Sequence, residues 1–369
     1  MTDALFARQL RLTRVRSAML DAGIDTLLLS LGADLPWITG YHAMPLERLT
    51  MLVLPIDDVP TLVVPGMEAA RVEQIPELFN MRPWGETESP VKIVADLVGK
   101  RKNLGISDRS WSTFLLDLQT LLPQATWRQA SRVTGRLRAI KDVAEIEALQ
   151  NAATAVDIIA AELQNGDIPL IGRTEAEVSA DISARILSQG HEVVNFAIVA
   201  AGENAASPHH EPGRRIIRAG EVVLCDFGGT MADYCSDITR CVYTGEPPAE
   251  FADLYETLMA SQAAGVAAGT VGTPCEAVDQ ASRRVIDEAG LGQYFIHRTG
   301  HGIGMEAHED PYMVSGNTEE LLAGHAYSVE PGIYVSGRWG ARLEDIVVAT
   351  ADGPVALNSA DHRLMVVEA

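Results

Sequence analysis

Acidic side chains stand inside otherwise apolar, strand-like segments in the second half of the chain. The members of this set are Asp226, Asp237, Glu330 and Glu344. Burying a carboxylate in an apolar strand is unfavourable unless the carboxylate is paired or binds a metal ion. Asp226 and Asp237 are predicted to lie on the two arms of a hairpin, where cross-strand neighbours come within about 5 Å of each other. Each acid alone is more simply read as a residue beside a turn, so only the whole set indicates a cation site.

Histidines in two Gly- or Pro-containing segments could join these acids. His301 lies in the segment G-H-G-I-G, where the glycines let backbone approach closely and leave the imidazole accessible. His308 follows seven residues later, and His209 and His210 follow Pro208 in a loop. A lone histidine is more often a structural or exposed residue, so these positions gain meaning only beside the acids.

Four carboxylates and one imidazole form an oxygen-rich donor set. Such a set suits hard or borderline divalent ions, Mn²⁺ first, with Co²⁺ and Zn²⁺ as alternatives. Four carboxylates would over-neutralise one ion, whereas they balance two ions and leave room for a hydroxide. Paired ions roughly 3.5–4 Å apart lower the pKa of a shared water toward about 7. The donor set therefore predicts a two-metal hydrolytic centre.

The elements that must position these residues fall into two blocks, predicted as domains 1–132 and 133–369. In the first block, short apolar runs alternate with helical patterns, which predicts a small α/β domain with a mixed or parallel sheet. The predicted helices are 4–21, 91–98 and 111–121, and the predicted strands are 25–31, 50–54, 61–64, 103–106 and 126–130. The basic, polar region 131–145 is predicted to be a connection.

The second block predicts an α+β domain with a largely antiparallel sheet. Its predicted helices are 146–163, 174–189, 249–268 and 273–290, and its strand-like runs are 196–200, 222–227, 234–243, 326–334 and 342–349. Thr174 with Glu177, and Thr273 with Glu276, have the spacing of capping boxes at helix starts.

Composition excludes several classes of function. The chain of 369 residues carries 29 basic and 50 acidic side chains, a formal charge of −21, which disfavours nucleic acids and anionic membranes as partners. The four cysteines include no C-x-x-C pair and suit a reducing compartment. Neither a signal peptide nor an apolar stretch of about 18 residues is recognisable. The cytoplasm is the predicted location.

Ordered motifs carry a resemblance to a known family. They are D-x-G at 226–228, Y-x-S-D-I-T-R at 234–240, H-R-T-G-H-G-I-G at 297–304, H-E at 308–309, V-E-P-G-I-Y at 329–334 and R-x-E-D at 342–345. The chain resembles the proline-specific peptidases, prolidase and aminopeptidase P, of the creatinase/methionine aminopeptidase superfamily. The resemblance implies a C-terminal pita-bread catalytic domain preceded by a smaller creatinase-like α/β domain, which residues 1–130 match more loosely.

The same resemblance implies a ligand set for two metal ions. Asp226 would bind one ion, Asp237 and Glu344 would bridge both, and His301 and Glu330 would complete the second. Glu330 would also act as the general base that takes the proton of the attacking water and passes it toward the leaving proline nitrogen.

Substrate contacts are implied at three further positions. His308 and His209 would polarise the scissile carbonyl and stabilise the tetrahedral intermediate. Arg342 would pair with a substrate carboxylate, whereas His210 is given no role. The implied reaction is cleavage before proline, at a tertiary amide that has no N–H, in Xaa-Pro dipeptides or short Xaa-Pro peptides. A homodimer is the habit of the family.

Several alternatives remain open at the level of sequence. Aminopeptidase P-type removal of a residue from longer Xaa-Pro peptides would use the same motifs. Another hydrolase with the same metals would differ only in its substrate pocket. A non-catalytic binding module on this fold would be expected to have lost ligands, and all five are present here. A creatinase-like enzyme without metal is disfavoured for the same reason.

Overall fold

The computed structural model describes residues 3–367, which divide into two compact units. One unit ends at Arg138 and the other begins at Ala139. The predicted boundary, between residues 132 and 133, falls a few positions earlier in the same helix. Within the described range, none of the helices combines the length and apolar character that a membrane span requires.

The first unit is built on a mixed six-stranded sheet. Its helices are α1 (Asp3–Ala22), α2 (Asp34–Thr39), α3 (Pro90–Val98), α4 (Ser112–Leu121) and α5 (Ser131–Ala139). Its strands are β1 (Thr26–Leu29), β2 (Met51–Pro55), β3 (Thr61–Pro65), β4 (Asn80–Trp84), β5 (Asn103–Ile106) and β6 (Thr126–Gln129). The strand order is β4-β3-β2-β1-β5-β6, with β1 antiparallel to β2 and parallel to β5. Leu28 and Val53 of the sheet share a core with Val94 of α3 and Leu118 of α4.

The region 131–145 is not the irregular connection that its basic composition suggested. Helix α5 occupies most of it, because Ala130, Val133 and Thr134 are buried at helical spacing beneath an arginine-rich surface. One of those arginines, Arg138, is itself buried and pairs with Asp34 at 2.6 Å. Because the segment is rich in arginine, its sequence looked like a polar connection although it forms a short amphipathic helix.

The second unit has two larger sheets and a hairpin. Its helices are α6 (Val143–Gln164), α7 (Glu175–Ser188), α8 (Ala249–Ala268) and α9 (Cys275–Glu288). Its strands are β7 (Val193–Ala201), β8 (Val222–Met231), β9 (Tyr234–Cys235), β10 (Ile238–Thr244), β11 (Gly300–Gly302), β12 (Glu309–Met313), β13 (Ala326–Val329), β14 (Gly332–Val335), β15 (Trp339–Arg342), β16 (Asp345–Thr350), β17 (Gly353–Ala356) and β18 (Met365–Val367).

Helix pairs cover these sheets. One sheet has the order β18-β10-β8-β7, with β9 beside β8, and the other has the order β12-β11-β13-β16-β17; β14 pairs with β15. Apart from the parallel pair β10/β18, the pairings are antiparallel, as predicted. Ile159 of α6 and Ile182 of α7 pack on β8 and β10, and Val278 of α9 packs on Val329 and Val347 of the other sheet.

The predicted helix caps have different outcomes. The capping box of α7 is present, since Glu177 N donates to Thr174 Oγ1 and Thr174 N to the Glu177 carboxylate. The one predicted at Thr273 is wrong, because α9 begins at Cys275 without a side-chain cap. Its first amides donate instead to carbonyl oxygens of the facing segment 317–319. Those backbone contacts satisfy the donors that a cap would otherwise satisfy.

The predicted strand-like runs are interrupted at three acidic positions. The run 234–243 breaks between β9 and β10 at Asp237, the run 326–334 breaks after β13 at Glu330, and the run 342–349 breaks before β16 at Glu344. A residue at such a break leaves the period-two alternation of a strand. Each interruption lies at one of the acids that the sequence singled out.

Candidate metal centre and cleft

Strand β8 and the strands beside it bring three of the acids toward one place. Alternation along β8 puts Asp226 on the face opposite Phe227, which packs under α6 and α7. Asp226 lies directly opposite Thr239 in the β8/β10 register, and a bridge joins Thr239 to Glu344. Ligand atoms of Asp237, His301 and Glu344 all lie within 4.8 Å of one another, and the three residues are buried.

His301 is held by two close backbone approaches. A Cβ at Gly300 would overlap the carbonyl of Ser328, and a Cβ at Gly302 would overlap the carbonyl of Asp310, so glycine is required on both sides. His301 Nδ1 lies 3.1 Å from Gly302 O. Because a carbonyl only accepts, Nδ1 carries the proton and Nε2 presents its lone pair.

His301 Nε2 faces two carboxylates. It lies 3.2 Å from Glu330 Oε1 and 3.8 Å from Asp237 Oδ2. Three groups that can only accept hydrogen bonds thus converge, and such an arrangement requires a proton or a cation between them. Ser328 Oγ donates to Glu330 Oε1 at 3.0 Å, and Thr239 Oγ1 donates to Glu344 at 2.6 Å, which orients both acids.

The electrostatics of the cluster favour the binding of a cation. Burial raises the pKa of Asp237 and Glu344 well above the usual range, and neighbouring carboxylates raise both further. Burial also raises the pKa of Asp226 despite the opposing charge of Arg342. Burial acts to raise the pKa of Glu330 as well, but its contact with His301 and the positive charge of Arg342 outweigh this effect and lower the pKa to about 2.

Arg342 places a positive charge beside the acids, and its guanidinium points toward the protein interior. It donates to the Asp226 carboxylate, to Thr239 Oγ1 at 3.0 Å, to the Tyr334 hydroxyl at 2.9 Å and to Pro208 O at 3.3 Å. Within residues 3–367, the other Asp226 oxygen, Oδ1, is buried without a hydrogen-bond partner. The predicted pairing of Arg342 with a substrate carboxylate stays a prediction, since its donors already have partners inside the protein.

The acids open into a cleft of about 760 Å³. His308 and His209, both predicted to contact substrate, line it. The ring centroid of His308 lies 3.9 Å from that of His301. Burial lowers the pKa of His308 to about 4, so this imidazole is neutral at physiological pH.

Several residues of the cleft were missed by sequence reasoning. Phe196, Ile198 and Ile296 give the cleft an apolar wall, and Arg298 lines it with its guanidinium 4.2 Å from the Tyr312 ring. Alternation in the strand containing Phe196 and Ile198 puts both on one face, but nothing in the sequence tells which face meets the site. Arg298 stood in the motif 297–304 without a role.

A second missed feature links the cleft to the Asp226 carboxylate. His297 Nδ1 lies 2.7 Å from Arg298 O and must carry a proton, so His297 Nε2 accepts from the Tyr334 hydroxyl at 2.9 Å. Tyr334 in turn accepts from Arg342, which binds Asp226. This chain of hydrogen bonds fixes the orientation of Asp226 from outside the cluster.

A buried carboxylate–histidine cluster on a two-unit fold of this kind is typical of a metal-dependent hydrolase. Residues 140–351 match the model of metallopeptidase family M24, and residues 11–140 match the creatinase/prolidase N-terminal domain. The chain belongs to metallopeptidase family M24.

Individual relatives agree over nearly the whole length. The probable dipeptidase PepE of Mycobacterium tuberculosis is 41% identical over 368 residues, which cover 98% of this chain and 97% of that protein. The Xaa-Pro dipeptidase of Lactobacillus helveticus is 32% identical, with 97% and 99% covered. The crystal structure of a recombinant prolidase from Thermococcus sibiricus superimposes with a TM-score of 0.90 at 34% identity, covering 97% of this chain and 98% of that one. The predicted family, fold class and enzyme class are thereby confirmed.

Proposed function

We propose that this chain is a dinuclear-metal exopeptidase that cleaves the bond before proline in Xaa-Pro dipeptides. The observation that carries the proposal is the convergence of acids and one histidine, predicted from separate motifs, on a single buried cluster at the floor of a cleft. The names of similar proteins, a dipeptidase, an Xaa-Pro dipeptidase and a prolidase, support the same substrate class.

The proposed ligands fit divalent ions on several independent grounds. They are Asp226, Asp237, His301, Glu330 and Glu344. Among residues 3–367, Oδ1 of Asp226 has no hydrogen-bond partner. This oxygen, the lone pair on His301 Nε2 and the raised pKa values of Asp237 and Glu344 all favour a positive charge at the site. When bound, the ions would lower the pKa of the attacking water and withdraw electron density from the scissile carbonyl. Mn²⁺ suits this oxygen-rich set best, with Co²⁺ or Zn²⁺ as alternatives.

The side chains of the cleft are proposed to have different roles in the reaction. Glu330 would accept the proton of the attacking water at its carboxylate and then deliver it to the proline nitrogen. His308 is neutral, so it can donate an N–H to the carbonyl oxygen without adding a charge that competes with the metal ions. His209, which also lines the cleft, is proposed as the second such donor. Arg342 holds Asp226 in place.

The length of the substrate is proposed from Arg298. Among residues 3–367 its guanidinium has no carboxylate partner, and its stacking on Tyr312 leaves its N–H groups available. A dipeptide carries its C-terminal carboxylate on the proline itself, close to the scissile bond, and a guanidinium can bind that carboxylate with two hydrogen bonds. This cation favours dipeptides over the longer peptides of aminopeptidase P. The cytoplasmic location and the homodimer remain predictions from sequence and family.

A substrate series tests the proposal. The Mn²⁺-loaded protein is given an Xaa-Pro dipeptide, the same dipeptide as its C-terminal amide, and an Xaa-Pro-Xaa tripeptide. We expect kcat/KM to be highest for the free dipeptide. Arg298→Met should lower kcat/KM for the dipeptide by roughly 10- to 100-fold, the worth of a hydrogen-bonded charge, and leave the amide nearly unchanged.

A matched variant controls for loss of a stacked arginine. Arg338 lies 4.0 Å from the Trp339 ring, much as Arg298 lies over Tyr312, and it is not among the cleft residues. Arg338→Met should therefore not distinguish dipeptide from amide. Preferred cleavage of the tripeptide would replace dipeptidase by aminopeptidase P-type action. Metal binding without cleavage of any of the three would favour a binding module.

A further inference from the structure

A buried carboxylate outside the cleft accepts hydrogen bonds from both ends of the loop that contains His209. Glu175, the first residue of α7, is fully buried. Its Oε1 accepts from Ala201 N and from Asn204 Nδ2, both at 2.9 Å. Its Oε2 accepts from His210 Nε2 at 2.8 Å and from Gly213 N at 3.3 Å. One carboxylate thus fixes both ends of the loop, from residue 201 to residue 213.

An acidic residue is favoured at the position of Glu175 in α7. It lies in the first turn of α7, where the helix dipole favours negative charge. Because a carboxylate only accepts, His210 Nε2 must carry the proton of the hydrogen bond between them. His210 is the residue immediately after His209, so the bond restricts the backbone that presents the His209 side chain to the cleft.

The inner side of the same loop is held independently. Arg342 donates to Pro208 O, directly before His209. A Cβ at Gly340 would overlap the carbonyl of Ala205, so the loop packs against β15 backbone to backbone. The loop is therefore clamped between Glu175 on one side and β15 on the other, and it has little freedom to present His209 elsewhere.

We propose that Glu175 and His210 are positioning residues, which act on catalysis by holding His209 in the geometry that the reaction requires. The inference rests on the proposed function, because His209 matters only if the cleft binds a scissile carbonyl. Neither residue touches substrate. A displacement of about 1 Å in a reacting group can lower the rate by about 100-fold. Hydrogen bonds that hold both ends of the loop therefore help to maintain kcat, because they keep His209 in place.

The substitution Glu175→Gln should keep the hydrogen bonds at one carboxylate oxygen and disrupt those at the other. The amide oxygen can still accept from Ala201 N and Asn204, whereas the amide nitrogen would face two donors, His210 Nε2 and Gly213 N. We expect kcat for an Xaa-Pro dipeptide to fall roughly 10- to 100-fold, with KM and Mn²⁺ affinity little changed. His210→Ala should have a similar effect, and His210→Gln, which restores an amide N–H of similar reach, should recover most of it.

A double-mutant cycle asks whether Glu175 acts through His209. If it does, Glu175→Gln should cost almost nothing further once His209→Ala is present, since coupled residues are not additive. Asp157→Asn is the control: this buried carboxylate also binds several donors, at Asn358 and Ser359, which do not line the cleft. Its effect should combine additively with His209→Ala.

Hydrogen exchange gives a second readout that needs neither metal nor turnover. In the metal-free protein, Glu175→Gln should raise amide exchange in the segment 201–213 by about tenfold or more, with α6 and β8 unchanged. Unchanged exchange in this segment, faster exchange throughout the chain, or additive effects with His209→Ala would each overturn the inference. A wild-type chain that cleaves no Xaa-Pro peptide would instead overturn the proposed function, and the exchange experiment would still decide whether Glu175 holds the loop.

Discussion

Asp237→Asn should stabilise the protein when no metal is bound and destabilise it, relative to the wild type, when metal is present. The oxygens of Asp237 and Glu344 that could bind an ion lie within 4.8 Å of each other in a buried site. Two unit charges at that separation repel by about 3.5 kcal/mol at an effective dielectric constant of about 20. Protonation of one acid relieves part of this repulsion, so we expect the substitution to recover a few kcal/mol, on the order of this 3.5 kcal/mol.

The raised pKa of Asp237 predicts in which direction the stability difference between the variant and the wild type changes with pH. The pKa of Asp237 is raised by burial first and then by the neighbouring carboxylates. A folded-state pKa above the unfolded value means that the contribution to stability is complete below pH 3.8 and is lost as the pH rises through the folded-state value. The advantage of Asp237→Asn over the wild type should therefore grow from pH 5 to pH 8.

Urea unfolding of chelator-treated protein at the two pH values measures the effect. With excess Mn²⁺ the order should reverse, because an ion at about 1,000 times its Kd stabilises the wild type by about 4 kcal/mol and the variant binds it poorly. Asp157→Asn is the control of opposite sign, since it alters a buried carboxylate that accepts three hydrogen bonds, from Asn358 and Ser359. A metal-free Asp237→Asn protein less stable than the wild type at pH 8 would refute the reasoning.

Further predictions concern catalysis, pH and packing. Glu330→Gln should abolish Xaa-Pro turnover while retaining part of the bound Mn²⁺, and unchanged turnover would remove it as the base. Burial and the charge of Lys141 lower the pKa of His325 to about 4, so the stability that neutral His325 contributes should be lost as the pH falls from 6.5 toward 4, by about 3 kcal/mol; urea unfolding of His325→Gln should lack this dependence, and an equal slope in both proteins would contradict it. Lys141→Met removes the buried ammonium that lies 2.7 Å from the Glu309 carboxylate and should cost about 3–5 kcal/mol. A second substitution, Glu309→Leu, should recover much of that loss in the same unfolding assay, and purely additive losses would contradict the pairing. Gly340→Ala should lower Tm, because its Cβ would meet backbone that cannot yield easily, and an unchanged Tm would contradict the close approach.

Much of the fold followed from local patterns. The helix 249–268 has the predicted bounds, and the alternation of strands and helices gave the mixed sheet of the first unit. Helix α5 was missed because three arginines masked its apolar spacing. The cap at Thr273 failed because distant carbonyls at 317–319 satisfy the amides of α9, and a local pattern cannot show a contact made across the fold.

The residues of the site show the same difference between local patterns, which the sequence reveals, and tertiary contacts, which it does not. The acids were recognisable because ionisable residues interrupt apolar runs, and the structure shows that the strands themselves break at Asp237, Glu330 and Glu344. The partners of these residues were not recognisable. Arg342 binds Asp226 across 116 positions of chain, and Glu175 binds His210 across 35, so their meaning depends on tertiary packing alone.

The most direct test of a two-metal Xaa-Pro dipeptidase is a titration of Mn²⁺ into the stripped protein, with bound ions and proline release from an Xaa-Pro dipeptide measured in the same samples. The account predicts no release without metal, release that rises to its maximum as occupancy reaches two ions per chain, and loss of both binding and release in Asp237→Asn. Full release at one bound ion would contradict the dinuclear centre. Two bound ions with no release of proline would contradict the proposed substrate.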